Sequence, residues 1–307
     1  MEQLPSRCTL TFVAFLVVHP LASNTTREQY LTELSYHHKS IDIAHGKTAC
    51  KMVLTDKWSA GNVFPRSEER GYHLIPNVEI LFRSEIISGC PLSRIVALAN
   101  FLNKFPASHV VFLDTNTLVV DELSYIFRLA HFDLGVTLTA QPSQGLEPNG
   151  KTVNSGVLFI SKEGAQKVAN FVNFTAHECL NLPRTGSVEQ LTLHHAILEG
   201  QRHNARVVNL NGKGFLGDGQ CLHLSVPTVV DKLKVALLSK RFNCPSSQVR
   251  PWTQIVHFTR GRKGSVGKTS SSFMQQGKQW IKQATSKYRG PKDDELAWKA
   301  RLNATCG

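Results

Sequence analysis

Asp114 and Asn116 stand two residues apart, directly after the apolar run His109-Val110-Val111-Phe112-Leu113 and before Thr117-Leu118-Val119-Val120. A carboxylate and a carboxamide at that spacing, where a strand opens into a turn, can aim oxygens at one point. Hard divalent cations such as Mn²⁺ or Mg²⁺ take oxygen ligands of this kind together with phosphates. Asp and Asn at a strand end also form turns with no ligand present, so the pair needs company. Three later segments supply it. Asn154-Ser155-Gly156-Val157-Leu158-Phe159-Ile160 places a carboxamide and a glycine in an apolar strand. Glu189-Gln190-Leu191 opens a helical stretch, where a glutamate also serves the helix dipole. Ile255-Val256-His257-Phe258 carries an imidazole, a good Mn²⁺ ligand, into the basic glycine loop Arg260-Gly261-Arg262-Lys263.

These residues need a frame. Short strands are predicted at Lys51–Thr55, Val78–Phe82, His109–Leu113, Val153–Ser161, Ala205–Leu210 and Ile255–Phe258. Between them, Ser93 to Phe105 places Ile95, Val96, Leu98, Ala99 and Leu102 at helical spacing. Glu122–Ala130, Glu163–Phe171 and Val188–Leu198 also read as helices. The alternation predicts an α/β fold with a mostly parallel, Rossmann-like sheet and flanking helices. In such sheets ligands bind beyond the carboxyl ends of the strands, which is where Asp114 falls.

The ordered set resembles the GT-A nucleotide-sugar glycosyltransferases, most closely glycosyltransferase family 8, the glycogenin-like and galactosyltransferase group. That pattern has an Asp-x-Asp strand end, an Asn-Ser-Gly-Val strand, an Asp-Gln helix start and a late His-Phe strand feeding a Lys loop. The resemblance spans roughly residues 50–263. It implies a metal site of Asp114, Asn116 and His257. It also implies a donor site of Arg94, Asp114, Gly156, Gly261 and Lys263, with Arg262 as the alternative to Lys263. Asn154 is implied to contact the transferred sugar, and Glu189-Gln190 to stand where the family has Asp-Gln beneath the anomeric carbon. The chain departs from the family at Asn116, where a neutral amide replaces the second aspartate.

The activity so implied moves a hexosyl or pentosyl unit from a UDP-sugar to a glycan or protein acceptor, with Mn²⁺ or Mg²⁺ and retention of configuration. The alternative is a degenerate fold of the same kind that binds nucleotide sugars or glycans without turnover. No isolated carboxylate pair suggests a glycoside hydrolase. Gly264-Ser265-Val266-Gly267-Lys268-Thr269 lacks the glycine a P-loop needs, because Arg262 holds that position. His194 and His195 lie inside a helical stretch with no partner spacing and read as core or surface histidines, and Asp133, Asp218 and Asp231 read as structural or solvated.

With 307 residues, 41% hydrophobic and 19% charged, the chain is neither a polytopic membrane protein nor largely disordered. Net charge is +12, and eleven Lys/Arg against three acids between Arg260 and Arg301 concentrate it late. That stretch has little aromatic interleaving and reads as a solvated basic helix near Ser270–Lys287, not a nucleic-acid surface.

At the other end, the apolar run Cys8–Ala22 reads as a secretory signal peptide or a short signal anchor over residues 1–23, with possible membrane anchoring. Residues 24–47 read as a stem, 48–265 as the catalytic domain and 266–307 as a basic helical tail. Setting Cys8 aside leaves six cysteines, enough for three disulfides. Sequons at Asn24, Asn173 and Asn303 agree with the Golgi or ER lumen, or secretion.

Overall fold

Leu10–Phe15 forms β1, the first strand of a computed structural model. The structure describes residues 8–64, 67, 71–76, 78, 92–105, 108–129, 131–140, 151–180, 193–197, 208–209, 220–224, 232–249, 253–258 and 278–279. β1 lies between β2 (Ala49–Leu54) and β4 (His109–Leu113) and is parallel to both, pairing Leu10 with Ala49 and with His109. Leu10 through Ala14 are all buried. The run read as a targeting segment is therefore an interior strand. The physical reason for the difference is compositional. A strand covered on both faces needs the same unbroken apolar stretch as a signal-peptide core.

Cys8, just before β1, is disulfide-bonded to Cys50 on β2, so the cysteine count that set it aside is corrected as well. The stem reading fails in the same way. Asn24–His45 is a 22-residue helix, α1, whose N-terminus is capped by Ser23 accepting from the Thr26 amide. Its buried face holds Glu33, His37, His38 and Ser40 beside Leu34, Ile41 and Ala44. Four of these seven residues are polar, which hides the apolar period expected of a packed helix. The folded unit thus begins by residue 8, not 48.

The remaining strands are β3 (His73–Ile75), β5 (Thr117–Val119), β6 (Leu134–Ala140), β7 (Lys151–Ile160), β8 (Val208–Asn209), β9 (Gln220–Leu224), β10 (Leu233–Leu238), β11 (Cys244–Pro245) and β12 (Ile255–His257). Among the described residues the main sheet has nine strands in the order β3-β2-β1-β4-β7-β6-β10-β9-β8. β7 and β9 run against their neighbours, so the other seven of the nine share one direction. The mainly parallel sheet expected from sequence is present, and β3, β6, β9 and β10 add strands not anticipated there. A second sheet, β11-β12-β5, stands beside it. It brings the late chain back onto the residues that follow β4.

Further helices among the described residues include α2 (Lys57–Asn62), α3 (Leu92–Lys104), α4 (Tyr125–Leu129) and α5 (Ala165–Leu180), and residues 193–197 are helical as well. One face of the sheet, with Val13, Phe112 and Leu158, packs under α3 and α5 through Leu98, Leu102, Val168 and Val172. The opposite face, with Phe12, Val111 and Phe159, meets Ile41 of α1, Ile126 of α4, Phe242 and Ile255. Ala14 and Val53 pack with Leu34 of α1, Val63 and Phe64. No helix among the described residues is long and apolar enough to cross a membrane. Of the expected basic tail helix, only residues 278–279 are described, and they are helical. The strand expected at Val78–Phe82 lies outside the described residues except for Val78.

Candidate active site

β4 ends at Leu113, and the chain turns at once: the Thr117 amide and hydroxyl both donate to the Asp114 carbonyl, at 3.1 and 2.7 Å. This tight turn sets Asp114 at the mouth of the sheet. On the other side of β4, β7 carries an irregularity. Val136 of β6 pairs with Leu158, but the next residue, Thr137, pairs with Asn154. Ser155, Gly156 and Val157 therefore have no partner on β6, and this bulge sets Ser155 beside Arg94 and Gly156 beside Asp114. The Gly156 carbonyl accepts from the Asp114 amide at 2.8 Å, and the Gly156 amide donates to Asn154 Oδ1 at 2.8 Å.

Gly156 has no room for a side chain. A Cβ there would lie 2.6 Å from Asp114 Oδ2, 2.6 Å from His257 Cε1 and 2.9 Å from Asn154 Oδ1. That one position thus measures how closely three of the sequence-identified residues converge. Arg94, near the start of α3, completes the group. Its Nη2 donates to Asp114 Oδ1 at 2.9 Å and to the Ser155 carbonyl at 2.8 Å. Its guanidinium carbon lies 4.5 Å from the centre of the Phe112 ring. This buried arginine fixes both the carboxylate and the bulge, in the planar geometry that suits Arg and not Lys.

His257, the last residue of β12, reaches Asp114 from the second sheet, its Nε2 3.4 Å from Asp114 Oδ2. On its other side, Nδ1 is 2.8 Å from Asn243 Oδ1, and Asn243 Nδ2 donates to Thr137 Oγ1 at 2.9 Å. Asn116 behaves differently from Asp114. Its Nδ2 donates to the Phe258 carbonyl at 2.6 Å, while the Phe258 amide donates back to the Asn116 carbonyl at 3.0 Å. The amide thus laces the turn after β4 to the end of β12. An aspartate could not make that bond, because both partners would be acceptors.

α1 supports the same turn from behind: His37 Nδ1 donates to the Thr117 carbonyl at 2.9 Å. Burial pushes the His37 imidazole down to about 4, against the opposing pulls of Thr117 and Asp114. It is a neutral strut at physiological pH.

The structure therefore brings together Arg94, Asp114, Asn154, Gly156 and His257, with Asn116 beside them as a tie. Glu189, Gln190, Gly261, Arg262 and Lys263 lie outside the described residues, as does the Gly264–Thr269 segment. His194 is a buried structural residue whose Nδ1 accepts from the Val153 amide at 3.3 Å. Asp133 is structural too, its Oδ2 accepting from the Lys234 amide at 2.8 Å. Sequence reasoning missed His37, Thr117, Thr137, Ser155 and Asn243. Each acts through a partner distant in sequence or through its backbone, and only Ser155 sits inside a motif visible in the sequence.

As to a metal, the described residues contain no cluster of three His, Cys, Asp or Glu side chains. Asp114 and His257 nevertheless suit a shared cation. With Nδ1 committed to Asn243, a neutral His257 turns the lone pair of Nε2 toward a carboxylate oxygen 3.4 Å away. Two electron-pair donors at that distance call for a cation or a proton between them. A donor diphosphate would have to supply the remaining ligands, as is usual for Mg²⁺ at phosphate sites.

A mainly parallel Rossmann-like sheet, an aspartate beyond its central strand and a small second sheet carrying a late histidine back to it together define the GT-A fold, that of nucleotide-sugar transferases. Among solved structures the chain is similar to the galactosyltransferase LgtC, determined in complex with donor and acceptor sugar analogs. The TM-score is 0.50 at 14% identity, over 95% of this chain and 100% of that one. The glycosyltransferase GlyE of Streptococcus pneumoniae TIGR4 gives 0.48 at 13% identity, over 91% of this chain and 64% of that one. A glycosyltransferase involved in the glycosylation of the major capsid of PBCV-1 gives 0.46 at 10% identity, over 89% and 99%. At such identities the likeness to LgtC is one of fold. No protein-family profile matches the chain, and no curated protein matches it in sequence.

Proposed function

We propose that the chain is a glycosyltransferase that takes a sugar from a nucleotide-diphosphate donor, in the crevice beyond β4, and passes it to a glycan or protein acceptor. The observation that carries this reading is the convergence of Arg94, Asp114, Asn154 and His257 around Gly156, at the ligand-binding end of a GT-A sheet. UDP is the nucleotide, and configuration is retained, as the family resemblance implies.

Transfer requires little covalent chemistry from the protein. Positive charge grows at the anomeric carbon and negative charge on the departing phosphate, so fixed, oppositely charged groups stabilise the transition state. Asp114 and His257 would hold Mn²⁺ or Mg²⁺, which when bound supplies positive charge beside the diphosphate. Arg94 holds Asp114 in place and adds a cation that needs no reorganisation. Asn154, its Oδ1 engaged by the Gly156 amide, offers its N–H donors to a sugar hydroxyl. Gln190, with Glu189, lies beneath the sugar in this reading. Lys263 or Arg262, on the loop containing Gly261, neutralises the leaving phosphate.

A panel of nucleotide sugars, tested by thermal shift with and without Mn²⁺ and then by donor turnover, checks this. Ligand at 100 times its Kd raises stability by about 2.7 kcal/mol. Stabilisation by one donor with Mn²⁺-dependent turnover is expected; no response to any nucleotide sugar contradicts the reading. Asn116 favours a second reading. Its Nδ2 is held by Phe258, and its remaining side-chain oxygen is a neutral carbonyl where the family has a carboxylate. Binding of a donor without turnover would establish the degenerate binding module instead.

The chain is also proposed to work in the secretory pathway. A disulfide between Cys8 and Cys50 is at home in an oxidising compartment. The Asn24 sequon lies exposed at the start of α1, whereas Thr175 of the Asn173 sequon is fully buried. In secretory expression, Asn24→Gln should remove one glycosidase-sensitive gel shift; an unmodified wild-type protein counts against this location.

A further inference from the structure

His257 touches Asp114 with one ring nitrogen, and the other has a dedicated partner. Asn243 ends the short 3₁₀ segment Lys240–Asn243 that follows β10. Its side chain is buried and makes two bonds, to His257 Nδ1 at 2.8 Å and to Thr137 Oγ1 at 2.9 Å. Thr137 is itself buried, and it is the β6 residue at which the register jumps past Ser155, Gly156 and Val157. One carboxamide therefore joins the bulge of the main sheet to the histidine of the second sheet.

We propose that Asn243 is a positioning residue, fixing His257 in the Nδ1–H form so that the Nε2 lone pair faces Asp114 as half of a two-residue cation site. A neutral imidazole has one donor and one acceptor, and which nitrogen carries the proton is set by its partner. With Nδ2 given to Thr137, Asn243 presents its carbonyl oxygen to His257, and a carbonyl can only accept. The proton must then sit on Nδ1, and Nε2 is left as an electron-pair donor. Were the carboxamide reversed, Nδ2 would donate to Nδ1, and Nε2–H would point at Asp114 with no lone pair for a cation. In the structure Thr137 Oγ1 accepts from the carboxamide nitrogen, and this leaves the carbonyl oxygen facing His257. This selection matters most in a site where Asn116 adds no charge. The inference rests on the reading of Asp114 and His257 as the cation-binding pair.

The test reads the tautomer and the metal separately. ¹⁵N NMR of histidine-labelled protein, with His257 assigned through His257→Gln, identifies the protonated nitrogen. Calorimetry measures Mn²⁺ affinity without donor. The Nδ1–H signature is expected in the wild type, lost in Asn243→Leu and kept in Asn243→Asp, whose carboxylate still accepts from Nδ1. Mn²⁺ affinity should fall about 10–100-fold in Asn243→Leu and stay within about threefold in Asn243→Asp. Thr137→Val, which keeps the shape of the site, should mix the two tautomers even if Asn243→Leu folds poorly. An Nε2–H wild type, or a tautomer indifferent to both Asn243→Leu and Thr137→Val, overturns the proposal. If the tautomers follow the prediction but the wild type binds no Mn²⁺, the positioning role stands and the cation-site reading fails.

Discussion

Gly156 is surrounded by the atoms that would do the chemistry, and the contacts a methyl group would make are too short to absorb. Asp114 Oδ2 and His257 Cε1 would each have to retreat from a Cβ at 2.6 Å. Gly156→Ala should therefore reduce turnover by about 10²-fold, the usual cost of an ångström-scale displacement in a reacting constellation. Steady-state kinetics checks this, with circular dichroism to confirm folding; near-normal turnover would mean that the convergence has no bearing on activity. Asn116 is a residue whose sequence role and structural role differ. Read as a weakened metal ligand, Asn116→Asp should improve the site. With its Nδ2 donating to Phe258, the same change sets a carboxylate against a carbonyl oxygen. In metal-free protein it should cost about 1–3 kcal/mol. Thermal unfolding would reveal the loss, and an unchanged midpoint would place the Asn116 side chain elsewhere.

At the scale of elements, α1 and β1 separate what a sequence exposes from what it conceals. α1 buries three histidines. Burial lowers His37 and His45 to about 4 and His38 well below its ordinary value. The folded state keeps them neutral, while the unfolded chain protonates them below about pH 6.5. Stability from these groups is fully present above about pH 6.5 and is lost as pH falls toward 4, by up to ~1.4 kcal/mol per pH unit for each histidine. Denaturant unfolding between about pH 7 and 5 should show that slope. His38→Leu should flatten it, since the buried Nδ1 of His38 has no hydrogen-bond partner among the described residues. An unchanged slope would remove His38 from the account.

β1 yields a blunter prediction. A chain beginning at Ser23 lacks a strand from the middle of the sheet and should not fold, as judged by circular dichroism and size-exclusion chromatography. A folded, stable product would return residues 8–22 to the role of a targeting segment. The strands β4, β7 and β12 and the helix α3 were legible because apolar runs and helical spacing report burial directly. β1 was legible as apolar yet not as a strand, because an interior strand and a signal-peptide core share one composition. α1 was hidden by its polar buried face. Asn243 and Thr137 were hidden more completely, since a bond across 106 residues leaves no trace in local pattern.

For the whole molecule, the GT-A sheet explains why residues as far apart as Arg94 and His257 form one site. β4 delivers Asp114, the bulge in β7 delivers Asn154 and Gly156, α3 delivers Arg94, and the second sheet returns His257. Charge and shape converge at one end of that sheet, and Asp114 is the residue that Arg94, Gly156 and His257 all contact. The most direct measurement is the Mn²⁺-dependent turnover of the nucleotide sugar that stabilises the protein, compared between wild type and Asp114→Ala at matched, verified folding. The account predicts measurable turnover in the wild type and a loss of at least about 10²–10³-fold in the variant. Equal turnover in the two proteins would contradict it.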